Sequence, residues 1–299
     1  LAAMTENFSM LVAARFIQGL FLPALTTCVA AYLANNLPVA RLNVAMGAYV
    51  SATVVGGLGG RLLGGFIHPP LHWRYAFVSA AVLLIAATLA AARWLPGVAA
   101  RPHHPEGEHG FRTLLASGPT LRMCIVGFGA FWVFSTIFNF LPFHLSEPPI
   151  SASTNLITLL YLTYLLGAVM GPISGRLSNR FGSGRTMAVG SLLFGVSMAG
   201  LLLPSLPWVI LALMGSCAGF FTIHAAASGA LNSRLTASRG RGNALYVLFY
   251  YVGGAIGITT CGYAWRHGGW HAVLAINTAM LMIPFGIGLY EIFLQRRST

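Results

Sequence analysis

The sequence contains no lysine and no aspartate, and it has few charged residues of any kind. Only 7% of its 299 residues are charged, whereas soluble domains usually have about 25%. Hydrophobic residues make up 57% of the chain. Because so little charge is poorly suited to water, the composition predicts a membrane protein solvated by lipid.

Acidic residues are especially scarce, with five glutamates against 17 arginines and a net charge of +12. Such a balance could indicate nucleic-acid binding. The arginines, however, do not form one basic face, because they lie in short gaps between apolar runs. That distribution is typical of membrane proteins and gives no reason to expect a nucleic-acid partner.

Apolar runs of about 20 residues predict nine membrane-spanning helices. They lie near residues 10–34, 44–67, 73–95, 121–145, 154–175, 186–204, 207–230, 243–264 and 270–294. Thirteen arginines fall in one set of alternating gaps, and only Arg74 and Arg266 fall in the other. The positive-inside rule therefore predicts a multi-pass protein with a cytoplasmic C-terminus.

The longest polar gap, residues 97–120, is predicted to be a cytoplasmic loop between two bundles. Residues 1–96 would supply three helices and residues 121–299 would supply six. The stretch VGGLGGRLLGG (55–65) is similar to VGGAIGITTCG (252–262), which indicates a parallel repeat. With a repeat of six helices, we expect nine of twelve helices here, with about a hundred residues missing upstream.

Metal and cofactor sites have little support in the sequence. The four cysteines are far apart within apolar runs and lack metal-type spacing: Cys28, Cys124, Cys217 and Cys261. The stretch HHPEGEH (103–109) is interrupted by proline and glycine, so a solvated linker is expected rather than a metal site. We also find no nucleophile–base set and no phosphate-binding loop, and we expect neither an enzyme nor a cofactor.

Four motifs, in this order, resemble those of one transporter family. They are RFIQG (15–19), GGLGGRLLGG (56–65), HWRYAF (72–77) and GRLSNRFGSGR (175–185). The chain is similar to the fourth to twelfth helices of the major facilitator superfamily, and most closely to its drug:proton antiporters. In the second motif Arg61 replaces the usual proline, and in the fourth Asn179 replaces the usual aspartate.

The resemblance implies an all-α bundle that works by alternating access, in which two halves rock about a site near the midplane. The first functional expectation is proton-coupled efflux of a drug or another small organic compound, including an anionic one, across the plasma (inner) membrane. Metabolite uptake, or a non-transporting receptor or remnant, remains an alternative. The expected partners are a small-molecule substrate, protons and the lipid bilayer, with the chain as a monomer.

Glycines mark the fifth-helix motif and its counterpart in the second bundle. The relevant residues are Gly56, Gly60, Gly64 and Gly65, with Gly253 and Gly257 in the counterpart. Since the first three are four residues apart, they form one face, and small residues let helices approach closely in lipid. The resemblance implies that these two helices are neighbours across the halves. The glycines thus indicate either an outer gate seal or plain helix packing.

Two arginines lie inside predicted spans. Arg61 is about one turn from the outward end of its helix, so it either reaches the outer interface or binds an anionic substrate group. Arg15 shares a face with Gln18. The resemblance implies that this arginine faces the cavity and takes part in proton movement; the alternative is an interface anchor.

Proton coupling requires a group that changes charge, and no aspartate is available. His224 is the one clearly intramembrane histidine, and it is a candidate coupling or substrate group. The alternative is a hydrogen-bonded structural histidine. Glu291 is expected to be an interface carboxylate near Arg296. A coupling carboxylate would then lie in the missing helices.

Aromatic residues concentrate in the span 126–145, where Phe134 and Phe138 share a helix face and Asn139 follows. The resemblance implies that this helix lines the cavity, where aromatic rings suit amphipathic ligands. Packed or lipid-facing rings are the alternative. Similar, weaker candidates in the span 243–264 are Tyr246, Tyr250 and Asn243.

The fourth motif predicts a cytoplasmic loop built from Gly175, Asn179, Arg180, Gly182 and Arg185. In the family, an Asp–Arg interaction in this loop helps to lock one conformation. An asparagine keeps a hydrogen-bond acceptor but loses the charge pair. The sequence therefore indicates a weakened latch, or simply a basic loop of the positive-inside type.

Overall fold

The computed structural model describes residues 3–36, 39–68, 70–95, 110–235 and 238–298. Throughout these residues the secondary structure is helical, with turns and short irregular segments, so the all-α prediction is confirmed. The helices are α1 (Phe8–Asn36), α2 (Val39–Ile67), α3 (Arg74–Trp94), α4 (Phe111–Ala116), α5 (Gly118–Ser146), α6 (Thr154–Leu160), α7 (Leu165–Phe181), α8 (Ser183–Gly200), α9 (Leu206–Arg234) and α10 (Arg239–Ser298).

Each predicted span coincides with helix, with two differences in detail. The last two spans form one recorded helix, α10, which breaks at Gly269 where φ is 57°. Glycine adopts this left-handed conformation readily, so it separates α10a (residues 239–268) from α10b (residues 270–298). The predicted span 154–175 is not one α-helix, because a 3₁₀ turn (Tyr161–Tyr164) joins α6 to α7.

Five helical segments of the described chain are long and apolar enough to cross a bilayer. They are Arg74–Trp94, Gly118–Ser146, Thr154–Phe181, Leu206–Arg234 and Gly240–Arg297. The last of these has 58 residues and contains two predicted spans. α8 is not among the five, because serine, glycine and an arginine dilute its apolar residues.

The helices group into two compact units. Unit 1 consists of Leu1–His104 and Thr154–Leu162, and unit 2 consists of Pro105–Ser153 and Thr163–Thr299. The segment Thr154–Leu162, which the sequence assigns to the second bundle, therefore belongs to unit 1 by its contacts. The predicted division at residues 97–120 stays a prediction, since residues 97–109 lie outside the described part of the chain.

Within unit 1, α2 contacts α1, α3 and α6. Gly65 of α2 lies directly against the side chain of Thr158 on α6, where a Cβ would have no room. This contact ties the glycine-rich end of α2 to α6.

Within unit 2, α5 contributes the largest set of buried residues, and it packs against α9 and α10. α8 packs on α9 and α10 through close backbone approaches. A Cβ added at Gly219 would lie 2.8 Å from the backbone oxygen of Gly190, and one added at Gly184 would lie 2.9 Å from the backbone oxygen of Gly288. Small residues at these crossings permit the tight helix packing that membrane bundles favour.

Candidate functional site

Aromatic rings of α5, α9 and α10a form one cluster in unit 2. Phe131 of α5 stacks on Tyr250 of α10a, with ring centroids 3.7 Å apart. Phe134 of α5 stacks on Phe220 of α9 at 3.9 Å. These contacts bring the predicted residues Phe134 and Tyr250 into the same cluster, although they come from different helices.

The cluster is closely packed at its centre and more open at one edge. Phe138 contacts the ring of Tyr164 at 4.5 Å, and Phe134 and Phe138 are only 4% and 3% exposed. Phe131 and Tyr250 are half-buried. The described rings therefore combine a packed core with an accessible aromatic edge.

His224 joins this cluster through the aromatic rings and one hydrogen bond. Its ring lies 5.8 Å from Phe220 and nearly parallel to it, and 5.2 Å from Tyr250. Its Nδ1 lies 2.9 Å from the hydroxyl of Tyr246. The direction of this hydrogen bond depends on the histidine tautomer, because the hydroxyl can either donate or accept.

Beside Tyr246, α10a also comes close to α5. A Cβ added at Gly127 would lie 2.8 Å from the Tyr246 ring, and one added at Gly253 would meet the backbone of Phe128. Glycine at both positions thus allows the contact between the two helices. The structure brings His224, Tyr246 and Tyr250 together as one group.

A row of polar side chains continues from this group along α9 and α10a, and beyond the group the sequence analysis identified only its member Asn243. Asn232 and Asn243 exchange two amide hydrogen bonds, of 3.0 and 2.9 Å. Ser228 lies between Asn232 and His224 on α9. The signal in the sequence is the four-residue spacing of His224, Ser228 and Asn232, which places them on one helix face.

Asn139 does not contribute to this group. It is exposed, and its amide donates a hydrogen bond of 2.7 Å to the backbone oxygen of Ser135 in the same helix. Its role as a substrate residue stays a prediction.

In unit 1, Arg15 donates a hydrogen bond of 2.8 Å to Gln18, as expected for residues on one helix face. The Arg15 guanidinium also lies 5.4 Å from the centroid of the Phe77 ring on α3. Arg15 and Phe77, which belong to two motifs on separate helices, thus form a cation–π contact.

Arg61 is exposed, and its guanidinium lies over the ring of Tyr161 at 5.5 Å. Both residues belong to unit 1. The contact fixes the direction of the side chain but does not decide between an interface anchor and an anion-binding group, so both interpretations stay predictions.

The motif glycines have two kinds of surroundings. A Cβ added at Gly56, Gly60 or Gly64 would meet no atom within 4 Å. A Cβ added at Gly257, in contrast, would lie 2.8 Å from the Trp132 ring of α5, and one added at Gly253 would also meet α5. Gly253 and Gly257 thus support helix packing inside unit 2, while the gate-seal interpretation of the motif stays a prediction.

The prediction of a loop over residues 175–185 is wrong in extent, because α7 continues to Phe181 and α8 begins at Ser183. Only Gly182 lies between the two helices. Gly182 has φ of 89°, and its N–H donates to Ser178 O at 2.9 Å, which ends α7. Asn179, Arg180 and Arg185 are exposed. The Arg180 guanidinium lies 5.1 Å from the Phe181 ring. A latch role for this loop, including Gly175, stays a prediction.

The expectation for Glu291 requires correction. Its side chain is only 2% exposed, and it forms ion pairs with Arg122 of α5, at 2.7 Å, and with Arg234 of α9. The sequence suggested Arg296 on the same helix as its neighbour. The interface carboxylate is in fact the centre of a buried three-helix ion-pair cluster, because the ends of α5, α9 and α10b converge around it.

The described residues include no group of three or more histidine, cysteine, aspartate or glutamate side chains that could hold a metal ion. The stretch 103–109 lies outside those residues. Of the four cysteines, Cys124, Cys217 and Cys261 are buried, whereas Cys28 is exposed.

Comparison with known proteins gives consistent matches along the chain. A family model described as Major Facilitator Superfamily matches residues 1–258 and 148–297. The inner membrane transport protein YnfM of Escherichia coli is 29% identical over 294 residues, covering 96% of this chain and 70% of that protein. An uncharacterized MFS-type transporter, YybF, of Bacillus subtilis is 25% identical, covering 97% and 72%. An uncharacterized transporter of Buchnera aphidicola is 23% identical, covering 97% and 71%.

Proposed function

The chain belongs to the major facilitator superfamily of secondary transporters, and from this premise we propose that it exports a small organic compound in exchange for protons. It is a multi-pass membrane protein. We place it in the inner membrane as a monomer that works by alternating access. The basic loops and the C-terminus would face the cytoplasm, as the positive-inside rule requires.

The observation that carries the proposal is the aromatic cluster of unit 2. Its rings come from three helices, and the accessible edge is formed by Phe131 and Tyr250. Aromatic surfaces of this kind bind planar apolar groups with centroid separations of about 4.5–7 Å. The substrate would therefore carry a planar or aromatic part that contacts this edge.

Proton coupling would use the ionisable side chain of the same cluster. His224 is hydrogen-bonded to Tyr246 and surrounded by Phe220 and Tyr250. Imidazole is the side chain that changes charge near neutral pH. An ionisable residue within a membrane-spanning helix is a functional candidate because an unused charge there is costly.

The arginines of unit 1 supply a possible second element of recognition. Arg61 and Arg15 each lie over an aromatic ring, and both are exposed. A guanidinium can bind a carboxylate by two parallel hydrogen bonds. Considered separately, the cluster of unit 2 would suit an aromatic ring and an arginine of unit 1 would suit a carboxylate, so we propose an aromatic organic anion as the substrate class.

The proposal is tested with the purified chain in proteoliposomes under an imposed pH gradient. Three probes would be compared: 1-naphthoate as an aromatic anion, ethidium as an aromatic cation and octanoate as an aliphatic anion. We expect the gradient to drive naphthoate accumulation, with weaker movement of the other two. Accumulation in the opposite direction would indicate uptake, and no accumulation of any probe would contradict transport by this chain.

A further inference from the structure

Five polar side chains of α9 and α10a form a row that we call the polar seam. It consists of His224, Ser228 and Asn232 on α9, with Asn243 and Tyr246 on α10a. The α9 residues are four positions apart and share a face. The two α10a residues are three positions apart and face them. The seam leads from the aromatic cluster to the end of unit 2 at which α9 ends and α10 begins.

Hydrogen bonds join α9 to α10a at both ends of the polar seam. At one end the Tyr246 hydroxyl lies 2.9 Å from His224 Nδ1. At the other, the Asn232 amide donates to Asn243 Oδ1 at 3.0 Å and to the backbone oxygen of Ser228 at 2.9 Å. From His224 to Asn232 the distance along α9 is roughly 12 Å, at 1.5 Å per residue.

The exposure of the seam is informative. Tyr246 is buried, but the other four side chains are half-buried. A reciprocal pair of asparagines is enough to hold two helices together in lipid. It does not account for further polar groups that extend inwards to an ionisable ring. Half-exposed polar groups at such depth are tolerated where protein or a water-filled cavity surrounds them.

We propose that the polar seam is the route by which a proton passes between His224 and water at the end of unit 2 where α9 meets α10. This inference rests on the proposed proton coupling and names the residues that carry it. The side-chain oxygens of Asn232, Asn243 and Ser228 can each accept a further hydrogen bond from water, so in this proposal they hold an ordered file of water molecules. The proton moves along that file.

The proton step is balanced at the imidazole. A hydronium ion in the seam transfers a proton to the unprotonated ring nitrogen of His224, which leaves water and an imidazolium. The hydrogen bond to Tyr246 persists through this change, because the hydroxyl donates to a bare nitrogen and accepts from a protonated one. Release of the proton reverses the same step.

Protonation of His224 would be the main change of charge in its immediate surroundings. The titratable side chains that face it are Tyr246 and Tyr250 of α10a, with Cys124 of α5 beside Tyr246. Within the part of the chain that the structure describes, no arginine or glutamate is in contact with His224. At the far end of the seam, Arg234 is paired with Glu291.

The test measures hydrogen–deuterium exchange at the imidazole C2 position of His224 by mass spectrometry, using the full chain in proteoliposomes. This exchange proceeds through the imidazolium, so it needs both protonation and water. In the double variant Asn232→Leu/Asn243→Leu we expect exchange to slow about tenfold, a barrier change of ~1.4 kcal/mol. Replacing both partners leaves no unpaired amide, which favours folding of this variant.

Two controls separate a proton route from a helix clamp. Asn232→Ser/Asn243→Ser keeps the seam polar and should retain wild-type exchange. Ser228→Ala should slow exchange, whereas Ser233→Ala should not. The last two serines are matched because each donates to the backbone oxygen three residues earlier, but Ser233 lies on another face of α9. This pair remains informative if the double variant does not fold.

The outcomes distinguish this inference from the proposed function. The proposed proton route would be overturned by unchanged His224 exchange in Asn232→Leu/Asn243→Leu, or by equal slowing in Asn232→Ser/Asn243→Ser. Either result would leave proton-coupled transport in place. If 1-naphthoate transport by the wild-type protein does not depend on the pH gradient, both the proposed function and the proposed proton route are overturned. Slow exchange combined with lost gradient-driven transport, but retained naphthoate counterflow, supports the route.

Discussion

Glu291 of α10b accepts a hydrogen bond of 2.7 Å from Arg122 Nε of α5, although the two residues are 169 positions apart. Arg234 of α9 binds the other carboxylate oxygen. The carboxylate thus links three helices at one end of unit 2. Since the surrounding helices exclude water from Glu291, each of the two arginines depends on it for charge compensation.

We predict that Glu291→Gln lowers the thermal stability of the protein. Removing one partner of a buried ion pair costs ~3–5 kcal/mol, which we reduce to about 2–3 kcal/mol because the arginines keep part of their hydration. The Arg122 and Arg234 side chains are 23% and 32% exposed, against 2% for Glu291. The measurement is the melting temperature in detergent.

The matched control for this prediction is Glu147→Gln, because Glu147 is exposed. It should leave the melting temperature unchanged. The triple variant Arg122→Met/Arg234→Met/Glu291→Leu should recover most of the loss, since it removes all three charges together. Equal melting temperatures for Glu291→Gln and Glu147→Gln would contradict a stabilising role of the ion pairs.

The glycines of the two related helices should respond differently to alanine. Gly253→Ala places a Cβ against the backbone of Phe128, so we expect a loss of about 1–3 kcal/mol from overpacking. Gly60→Ala meets no atom within 4 Å and should gain up to ~1 kcal/mol of helix propensity. Thermal unfolding of both variants measures the difference.

The gate interpretation of the motif needs a transport measurement. Gly60→Leu should block cycling while the protein keeps its melting temperature, because the bulk would act only when the transporter changes conformation. Normal turnover of Gly60→Leu would leave helix packing as the explanation for this glycine.

The sequence predicted the helices well because apolar length is a direct requirement of the bilayer. It also placed Phe134 and His224 among the candidate residues from their positions within spans. The break at Tyr161–Tyr164 was not predicted, because an apolar run in lipid carries no periodic signal for a 3₁₀ turn. The stacking partners Phe131 and Phe220 were missed, since an aromatic residue in an apolar run does not reveal its neighbours.

Long-range polar contacts were the other limit of the sequence analysis. Glu291 was assigned a neighbour on its own helix, because only local spacing can be read without tertiary structure. Its partners Arg122 and Arg234 become visible only when α5, α9 and α10b are packed together. The four-residue spacing on α9 could have indicated the helix face on which Asn232 lies, but not its partner Asn243 on α10a.

Arg61 provides a test of substrate charge. If its guanidinium binds an anionic group, Arg61→Ala should abolish transport of 1-naphthoate and leave expression and melting temperature intact, because the side chain is exposed. Arg61→Lys should retain part of the activity, since it keeps the charge but loses the bidentate geometry. Unchanged naphthoate transport in Arg61→Ala would assign this arginine to the membrane interface instead.

The aromatic cluster allows binding and packing to be separated with two matched substitutions. Phe134 is 4% exposed and stacked on Phe220, so Phe134→Leu should chiefly reduce stability through lost packing. Tyr250 is half-buried at the accessible edge, where it stacks on Phe131. Tyr250→Leu should therefore keep most of the stability and weaken substrate binding.

The size of the binding effect follows from aromatic contact energies. Loss of one aromatic pairing costs ~0.5–1.5 kcal/mol, so the KM for 1-naphthoate should rise by up to about tenfold in Tyr250→Leu. The KM for octanoate, which has no ring, should change little. If both substitutions lower the melting temperature alike and neither changes the KM for naphthoate, the whole cluster is a packed core, and the substrate contacts another part of the transporter.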